Sequence, residues 1–352
     1  MRTAFLAFLL TLLPVLGDLP LNLQLPTEND YIFRDQPEKF YMYVDRNFGG
    51  KKSQPWQAGS YGYVRTLVES EEGVLATRFH EGLDIKPIKR DGNGVPLDLV
   101  NSIAPGTVAY VQDNAGGSNY GKYVVVEHDW GSGPFFSLYA HLSRITVAVG
   151  DKVLGGAALG QLGYTGAGIS KTRAHVHLEL CMMLSDDFNS WHEREMGGYN
   201  PHGLHNGMNL SGIDLGQLYL DLKKNPGISL PSFIRAQEVY FKVTVPRIAT
   251  PFLVEAYPWL ADADPRKPSA SWEFAFTASG LPVGVNPSNR SVEKPTVTYV
   301  KPSVANHRLK TRGYLTGSGE RATLRKNGLR YLRLLVPSAF PELREKKNTA
   351  SE

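Results

Sequence analysis

Through the middle of the chain, apolar and polar residues alternate along short runs separated by Gly, Pro, Asn or Asp. SIAPGTVAYVQD, GKYVVVEHDW, FFSLYAHLSRITV, ALGQLGYTG and AHVHLELCM, all between Val64 and Leu184, are of this kind. Period-two alternation bounded by turn residues predicts half-buried strands. Their regular spacing, with no βαβ rhythm, predicts an antiparallel sheet or sandwich over 61–184. Residues 185–235 turn polar, Gly/Asn-rich and irregular, with short helices possible in LGQLYLDLKKN and LPSFIRAQ. A segment of that length is an insertion or a functional loop. EVYFKVTVPR, SWEFAFTASG, KPTVTYV and LRYLRLLVP again read as strands and predict a second, smaller β domain over 236–340.

The ends of the chain add a destination. Arg2 precedes an apolar run from Ala4 to Leu16, broken only by Thr11 and Pro14. It falls short of the ~20 residues that span a bilayer and fits the apolar region of a signal peptide. Residues 1–17 are therefore expected to be removed near Gly17–Asp18, leaving a chain in the periplasm or outside the cell. No Cys follows the run, which argues against a lipid anchor, and no later stretch reaches ~18 apolar residues, so no integral membrane segment is expected. Residues 18–60 form an N-terminal extension whose aromatic-rich YIFRDQPEKFYMYVDRNF should pack against something, and 341–352 reads as a solvated tail.

Composition narrows the rest. The 352 residues suit two domains, and 42% hydrophobic against 20% charged residues excludes wholesale disorder. Gly 35 and Pro 23 favour a turn-rich β architecture over a helical bundle. A single Cys excludes an internal disulfide framework and any multi-cysteine zinc or iron–sulfur cage. The net charge of +4 is unevenly placed, since residues 301–352 hold 12 Lys/Arg against 4 Asp/Glu. Such a basic end either touches an anionic polymer or is simply solvated. Nothing else points to nucleic acid.

Four histidines and one aspartate carry candidate chemistry. In AHVHLEL, strand alternation puts His175, His177 and Glu179 on one face and Val176, Leu178 and Leu180 on the other, toward a core. Imidazoles two residues apart along a strand sit ~6–7 Å apart, so one can hold a metal while the other reaches a group bound to it. FHEGLDI offers His80 and Asp84, and Gly82 between them favours a bend leading into a strand over a helical turn. His141, in LYAHLS, reads as a strand residue sharing a face with Tyr139. Taken singly, each pattern also suits ordinary surface or core histidines. Together, two His, one Asp and two spare His meet the needs of a catalytic zinc. It takes three protein ligands and an open position for water, with further groups to move protons and stabilise a tetrahedral oxyanion.

With these motifs in place, the segment from about 75 to 182 resembles the lysostaphin/LytM-type zinc metallopeptidases that cut peptidoglycan. FHEGLDI matches the family's H-x-x-x-D motif and AHVHLEL its H-x-H motif. SIAPGTVAYVQ, YGKYVVVEH, YAHLSRITVAVGDKV and LGQLGYTG stand between them in the family's order. The resemblance implies a mainly β fold, with an antiparallel barrel-sandwich core of the duplicated hybrid motif. It implies one Zn2+ per chain held by His80, Asp84 and His177, and hydrolysis of peptidoglycan peptides by zinc-activated water. His141 and His175 match the two catalytic histidines that are not ligands, and which of them is the general base stays open. The alternative within the same fold is a non-catalytic protein that binds the wall or regulates a hydrolase. Loss of ligands would mark that class, and none is lost.

Two departures from the family pattern stand out. SKTRA ahead of the H-x-H places Arg173 near the cleft wall, either to bind a substrate carboxylate or as a solvated residue. The 185–235 insertion, with His192, His202 and His205, can form a wall or lid, and its H-x-x-H reads as polar surface before a second metal site. Glu179 is either a hydrogen-bond partner within the site or solvated. Glu81 is not needed as a base, and Cys181 reads as a small buried hydrophobe. Asn29 or Asn47 is a candidate to occlude the open zinc position. The C-terminal domain either docks on an anionic wall polymer or packs on the catalytic domain.

Overall fold

The structure, a computed structural model, describes residues 20–340; the expected signal peptide and the tail lie outside the described residues. A hairpin comes first, β1 (Gly62–Ser70) and β2 (Gly73–His80). β3 (Leu83–Ile85), β4 (Gly106–Gln112), β5 (Lys122–Asp129), β6 (Pro134–Leu142), β7 (Lys152–Val153), β8 (Val176–Met183) and β9 (Leu210–Gly212) build a seven-stranded sheet. Its order is β7-β4-β5-β6-β8-β9, with β3 also paired to β8, and every pair is antiparallel. The fold is mainly β and antiparallel as expected, but the barrel does not close. The sheet ends on β7 and β9, too short to be joined edge to edge.

The alternation expected of the central strands is realised. Val176, Leu178, Leu180 and Met182 of β8 join Val124, Val126, Phe135 and Tyr139 in the main core. Cys181 and Met183 join Tyr123, Val125, Phe136, Leu138, Ala140 and Leu210 in a smaller cluster on the opposite face. The sheet is thus mostly apolar on both sides, with His128 and Ser137 hydrogen-bonded to each other on the first face and His177 and Glu179 interrupting the second.

Residues 185–235 are more regular than their polarity suggests. They contain α1 (Phe188–Glu195), α2 (Leu215–Lys224) and α3 (Leu230–Arg235). Phe188 and Trp191, three apart, bury one face of α1. Asp214 caps α2 by accepting from the Gln217 N–H at 2.9 Å, and Ser229 with Ser232 forms a capping box on α3.

A second antiparallel sheet follows, β10 (Phe241–Pro246), β11 (Ser271–Phe276), β12 (Pro282–Ser288) and β13 (Thr296–Val300), in the order β12-β11-β10-β13. β12 is an edge strand, the place in a sheet where Pro282 and Pro287 are tolerated. LRYLRLLVP is not a strand. It lies in and just after α4 (Lys326–Leu335), where Leu332 and Leu335 are buried. Leucines three residues apart, with Arg330 and Arg333 between them and no β-branched residue inside the helix, follow the helical period.

One apolar core runs through both sheets. Tyr257, fully buried, accepts from the Met183 N–H at 2.9 Å and donates to the Pro134 carbonyl at 2.6 Å, so it closes the ends of β8 and β6. The β1–β2 hairpin is held at both ends. Tyr61 Oη donates to the Gly212 carbonyl at 2.9 Å and Tyr63 Oη to the Ala278 carbonyl at 3.1 Å. At the tip, the Glu72 carboxylate accepts from Ser303 Oγ at 2.9 Å and the Ala305 N–H at 3.0 Å, and pairs with Lys310. The hydrogen bond from Lys310, with those from Ala305 and Ser303, holds the Glu72 pKa down to about 2.

A group whose folded pKa is depressed contributes stability that is present above its ordinary pKa and lost as pH falls through the folded value. Docking of the hairpin tip is therefore expected to be complete above the usual glutamate range and to fail as pH approaches about 2. Glu72→Gln at neutral pH should speed hydrogen exchange in β1 and β2 while leaving β5 and β6 protected. Unchanged exchange in the hairpin would remove this role from Glu72.

Candidate metal centre and its cleft

Strand register assembles the centre. Asp84 of β3 lies directly opposite His177 of β8, and His177 is in turn opposite Ala140 of β6. His80 ends β2, and the chain bends at Glu81–Gly82 before entering β3. The bend is pressed onto β8. A Cβ at Gly82 would lie 2.4 Å from the Leu178 carbonyl oxygen and 2.8 Å from Glu179 Cγ.

Three ligand atoms converge. His80 Nε2 is 3.1 Å from His177 Nδ1 and 3.1 Å from Asp84 Oδ1, and the last two are 2.9 Å apart. Tetrahedral zinc with bonds of ~2.0–2.1 Å separates its ligands by ~3.3 Å, so this triangle is close to the required size. The other ring nitrogens are taken. His80 Nδ1 faces the Ser60 carbonyl at 2.8 Å, and His177 Nε2 faces Glu179 Oε1 at 2.7 Å. With protons on those outer nitrogens, two imidazole lone pairs and a carboxylate oxygen meet at one point. Three acceptors crowded together repel one another unless they share a cation, and the donor set suits zinc.

The surroundings support that charge pattern. Burial lowers the His80 pKa in spite of Asp84 beside it. Burial alone would raise the Asp84 pKa, but His80, His175 and His177 outweigh it and hold the carboxyl well below the usual range. Burial would likewise lower the His177 pKa, yet its bonds to Asp84 and Glu179 raise it to about 9. A metal ion held at Nδ1 would take the place of that proton. Asp84 Oδ2 is occupied by Arg65, whose Nε also donates to the Ala58 carbonyl at 2.9 Å, leaving Oδ1 alone to face the ligand point.

His141 and His175 stand beside this triangle, with ring centroids 4.8 Å apart. His141 Nδ1 faces the Thr165 carbonyl at 2.9 Å and His175 Nδ1 the Arg173 carbonyl at 2.6 Å, so both Nε2 atoms are left for the cleft. His175 Nε2 is 3.4 Å from Asp84 Oδ1. Burial, with His175 and His177 nearby, holds the His141 pKa well below its ordinary value, so its ring is neutral.

His141 and Tyr139 do not share a face. Tyr139 is in the main core and its Oη accepts from the Ile103 N–H at 2.7 Å, whereas His141 lines the cleft. The reason is a left-handed backbone at His141, φ 65°, which breaks the alternation of β6.

The other named residues fall into place around the cleft. Glu179 is buried and accepts from Tyr120 Oη at 2.8 Å and from Cys181 Sγ at 3.3 Å as well as from His177. Glu81 is paired with Arg312, and Arg173 lines the cleft. Asn29 is used elsewhere, donating to the Lys86 carbonyl at 2.9 Å, while Asn47 lines the cleft. The insertion's histidines do not converge. His192 packs on Phe188, His202 meets Tyr123 Oη at 2.9 Å, and His205 rests on Phe136. Among the described residues, His80, Asp84 and His177 are the one group placed to hold a metal ion. Arg65, Tyr120 and Arg312 were not legible in the sequence, since no motif marks them.

Glu179→Gln removes the carboxylate that orients His177, and zinc affinity is expected to fall by ~10–100-fold. Gly82→Ala should weaken it as well, because the bend must move off β8. Competition against a chelator measures both, and wild-type affinity in Glu179→Gln would exclude the orienting role.

Comparison with known proteins follows the same residues. Residues 78–187 match the family described as Peptidase family M23. A curated relative, the uncharacterized protein NMB1333 of Neisseria meningitidis serogroup B, is 45% identical over 64 residues, 18% of this chain and 10% of that protein. The chain thus spans about a tenth of that relative's length. Among solved structures, the catalytic domain of lysostaphin from Staphylococcus simulans is 26% identical, covering 34% of this chain and 75% of that one with a TM-score of 0.24. The catalytic domain of the prophage-encoded M23 protein EnpA from Enterococcus faecalis is 24% identical, covering 40% and 79% with a TM-score of 0.24. A zinc-containing peptidase from Vibrio cholerae is 24% identical, covering 34% and 36% with the same score. Residues 78–187, which hold all five histidine and aspartate positions of the centre, carry the match to Peptidase family M23.

Proposed function

We propose that the chain is an exported zinc-dependent endopeptidase that hydrolyses peptide bonds in peptidoglycan. The observation that carries this reading is the convergence of three ligand atoms beside two further imidazoles whose Nδ1 atoms are already engaged. The apolar run Ala4–Leu16 supports export, and among the described residues no helix is long and apolar enough to cross a membrane.

His80, Asp84 and His177 would hold Zn2+, which when bound supplies Lewis acidity at the scissile carbonyl and to the attacking water. The protein's residues do the rest. Glu179 and the Ser60 carbonyl fix the two ligand imidazoles in the tautomers that present Nε2 of His80 and Nδ1 of His177. The Nε2 atoms of His141 and His175 face the cleft, where one accepts the proton of the water and the other donates to the oxyanion and then to the leaving amine. The carbonyls of Thr165 and Arg173 hold both rings in orientation and favour a positive charge on whichever ring is protonated.

One experiment tests the reading. The chain from Asp18 is purified, its zinc is measured, and it is incubated with purified peptidoglycan beside His177→Ala. One zinc per chain and new amino termini from the wild type only are expected, with His177→Ala losing both. His141→Ala and His175→Ala should keep zinc and lose at least ~100-fold in rate, the range for a positioned general acid or base. Zinc without cleavage would point to a wall-binding role instead, and a folded chain without zinc would refute the proposal.

A further inference from the structure

The cleft around the metal centre, about 1230 Å³, is lined by six arginines, Arg46, Arg65, Arg78, Arg173, Arg308 and Arg312, and by no lysine among the described residues. Lysine and arginine are nearly equally common along the chain, so the choice is selective. The planar guanidinium fork matches a carboxylate in a bidentate way that an ammonium cannot.

Four carboxylates share the lining, and each has a task. Asp84 meets the ligand point and Arg65, Glu179 orients His177, Glu81 pairs with Arg312, and Asp45 accepts from Gln54 at 2.8 Å. That uses two of the six arginines. Arg46 gives Nη2 to the Val64 carbonyl at 2.6 Å. Arg173 is half-buried and anchored by Nε to the Tyr43 carbonyl at 3.2 Å, which aims its fork and leaves its terminal nitrogens without a carboxylate among the described residues. Arg78 and Arg308 are exposed on the same cleft, also without a carboxylate partner among the described residues. With a divalent cation added, the cleft is strongly positive, and a neutral peptide gains nothing from that field.

Arg308 and Arg312 come from beyond the second sheet, in the basic C-terminal stretch. This region reaches the cleft because Glu72 holds it to the hairpin and Glu81 pairs with Arg312 beside His80. Its charge is therefore present at the metal centre itself.

Resting on the peptidase reading above, we infer that the substrate is a peptide bearing free carboxylates close to the scissile bond, and that Arg173 and Arg308 read them. The C-terminal region thereby completes the substrate cleft of the catalytic domain. A neutral glycine bridge is a poor substrate on this account.

The test uses the zinc-loaded full chain and three synthetic probes: a cross-linked stem peptide with free carboxylates, the same peptide with those carboxylates amidated, and a glycine pentapeptide. Calorimetric binding is read beside cleavage, so recognition is measured whether or not the bond is cut. The free-acid peptide should bind about tenfold or more tightly than its amide, the worth of one charge-assisted pair, and the ratio should shrink with added salt. Arg173→Gln combined with Arg308→Gln should bring that ratio toward one, and Arg173→Lys should restore only part of it. Equal binding of acid and amide by the wild type overturns the carboxylate proposal even if both are cleaved. A preserved ratio in the double variant overturns the assignment to these two residues. Preferential binding with no cleavage leaves the recognition standing and removes the peptidase reading.

Discussion

Everything at the centre depends on one register, Asp84 opposite His177 across β3 and β8. A slip of one residue would turn His177 into the main core and send Leu178 to the cleft. Antiparallel pairing fixes two ligand atoms 2.9 Å apart before any side chain has to search for its partner. His80 then needs only the two-residue bend at Glu81–Gly82 to reach them. The pressure of Leu178 and Glu179 against Gly82 allows that bend no side chain. The metal point is thus a product of backbone geometry, with side-chain rotamers as the last adjustment.

Such a point is expensive to bury. Two imidazoles, a ligand carboxylate and Glu179 all lie nearly out of water, in surroundings that disfavour isolated charge. The protein meets this with a chain of partners. Arg65 neutralises the free oxygen of Asp84, His177 lies between two carboxylates, and Tyr120 and Cys181 donate to Glu179. Buried ion pairs of this kind add little to stability, but each fixes the orientation of the next. The hairpin that carries Arg65 and His80 is itself fastened by Glu72, Tyr61 and Tyr63 to residues 210 and beyond. Parts of the molecule remote in sequence therefore hold the first ligand in place.

What the sequence revealed follows from how local each signal is. Period-two runs announced the sheet, and the H-x-x-x-D and H-x-H spacings announced four of the five residues that the structure brings together, His141 standing apart in LYAHLS. Each of those signals lies within a few residues. Arg65, Tyr120 and Arg312 reach the centre across 19 residues of hairpin and bend, or from distant segments, and one Arg or Tyr in a strand has no pattern to betray it. LRYLRLLVP failed in a different way. Short apolar runs fit strand and helix alike, and the two arginines between its leucines decide for the helix only once a core is there to cover one face. β12 had no strand reading at all: its prolines discourage one, whereas an edge strand tolerates them.

His141 shows why a site can be right in its residues and still unreadable in its geometry. By alternation it belongs on the face of Tyr139, inside the core, while Ala140 faces His177. A left-handed residue other than glycine costs of order 1–3 kcal/mol and persists only where its surroundings hold it. Here the His141 N–H donates to the Tyr120 carbonyl at 2.9 Å and Nδ1 faces the Thr165 carbonyl, so backbone and ring are both fixed in the turned position. Tyr120 is also the residue that donates to Glu179. One tyrosine thereby sets the helper imidazole through its backbone and the ligand imidazole through its hydroxyl. The strain at His141 is the means by which a ring otherwise destined for the core comes to face the cleft.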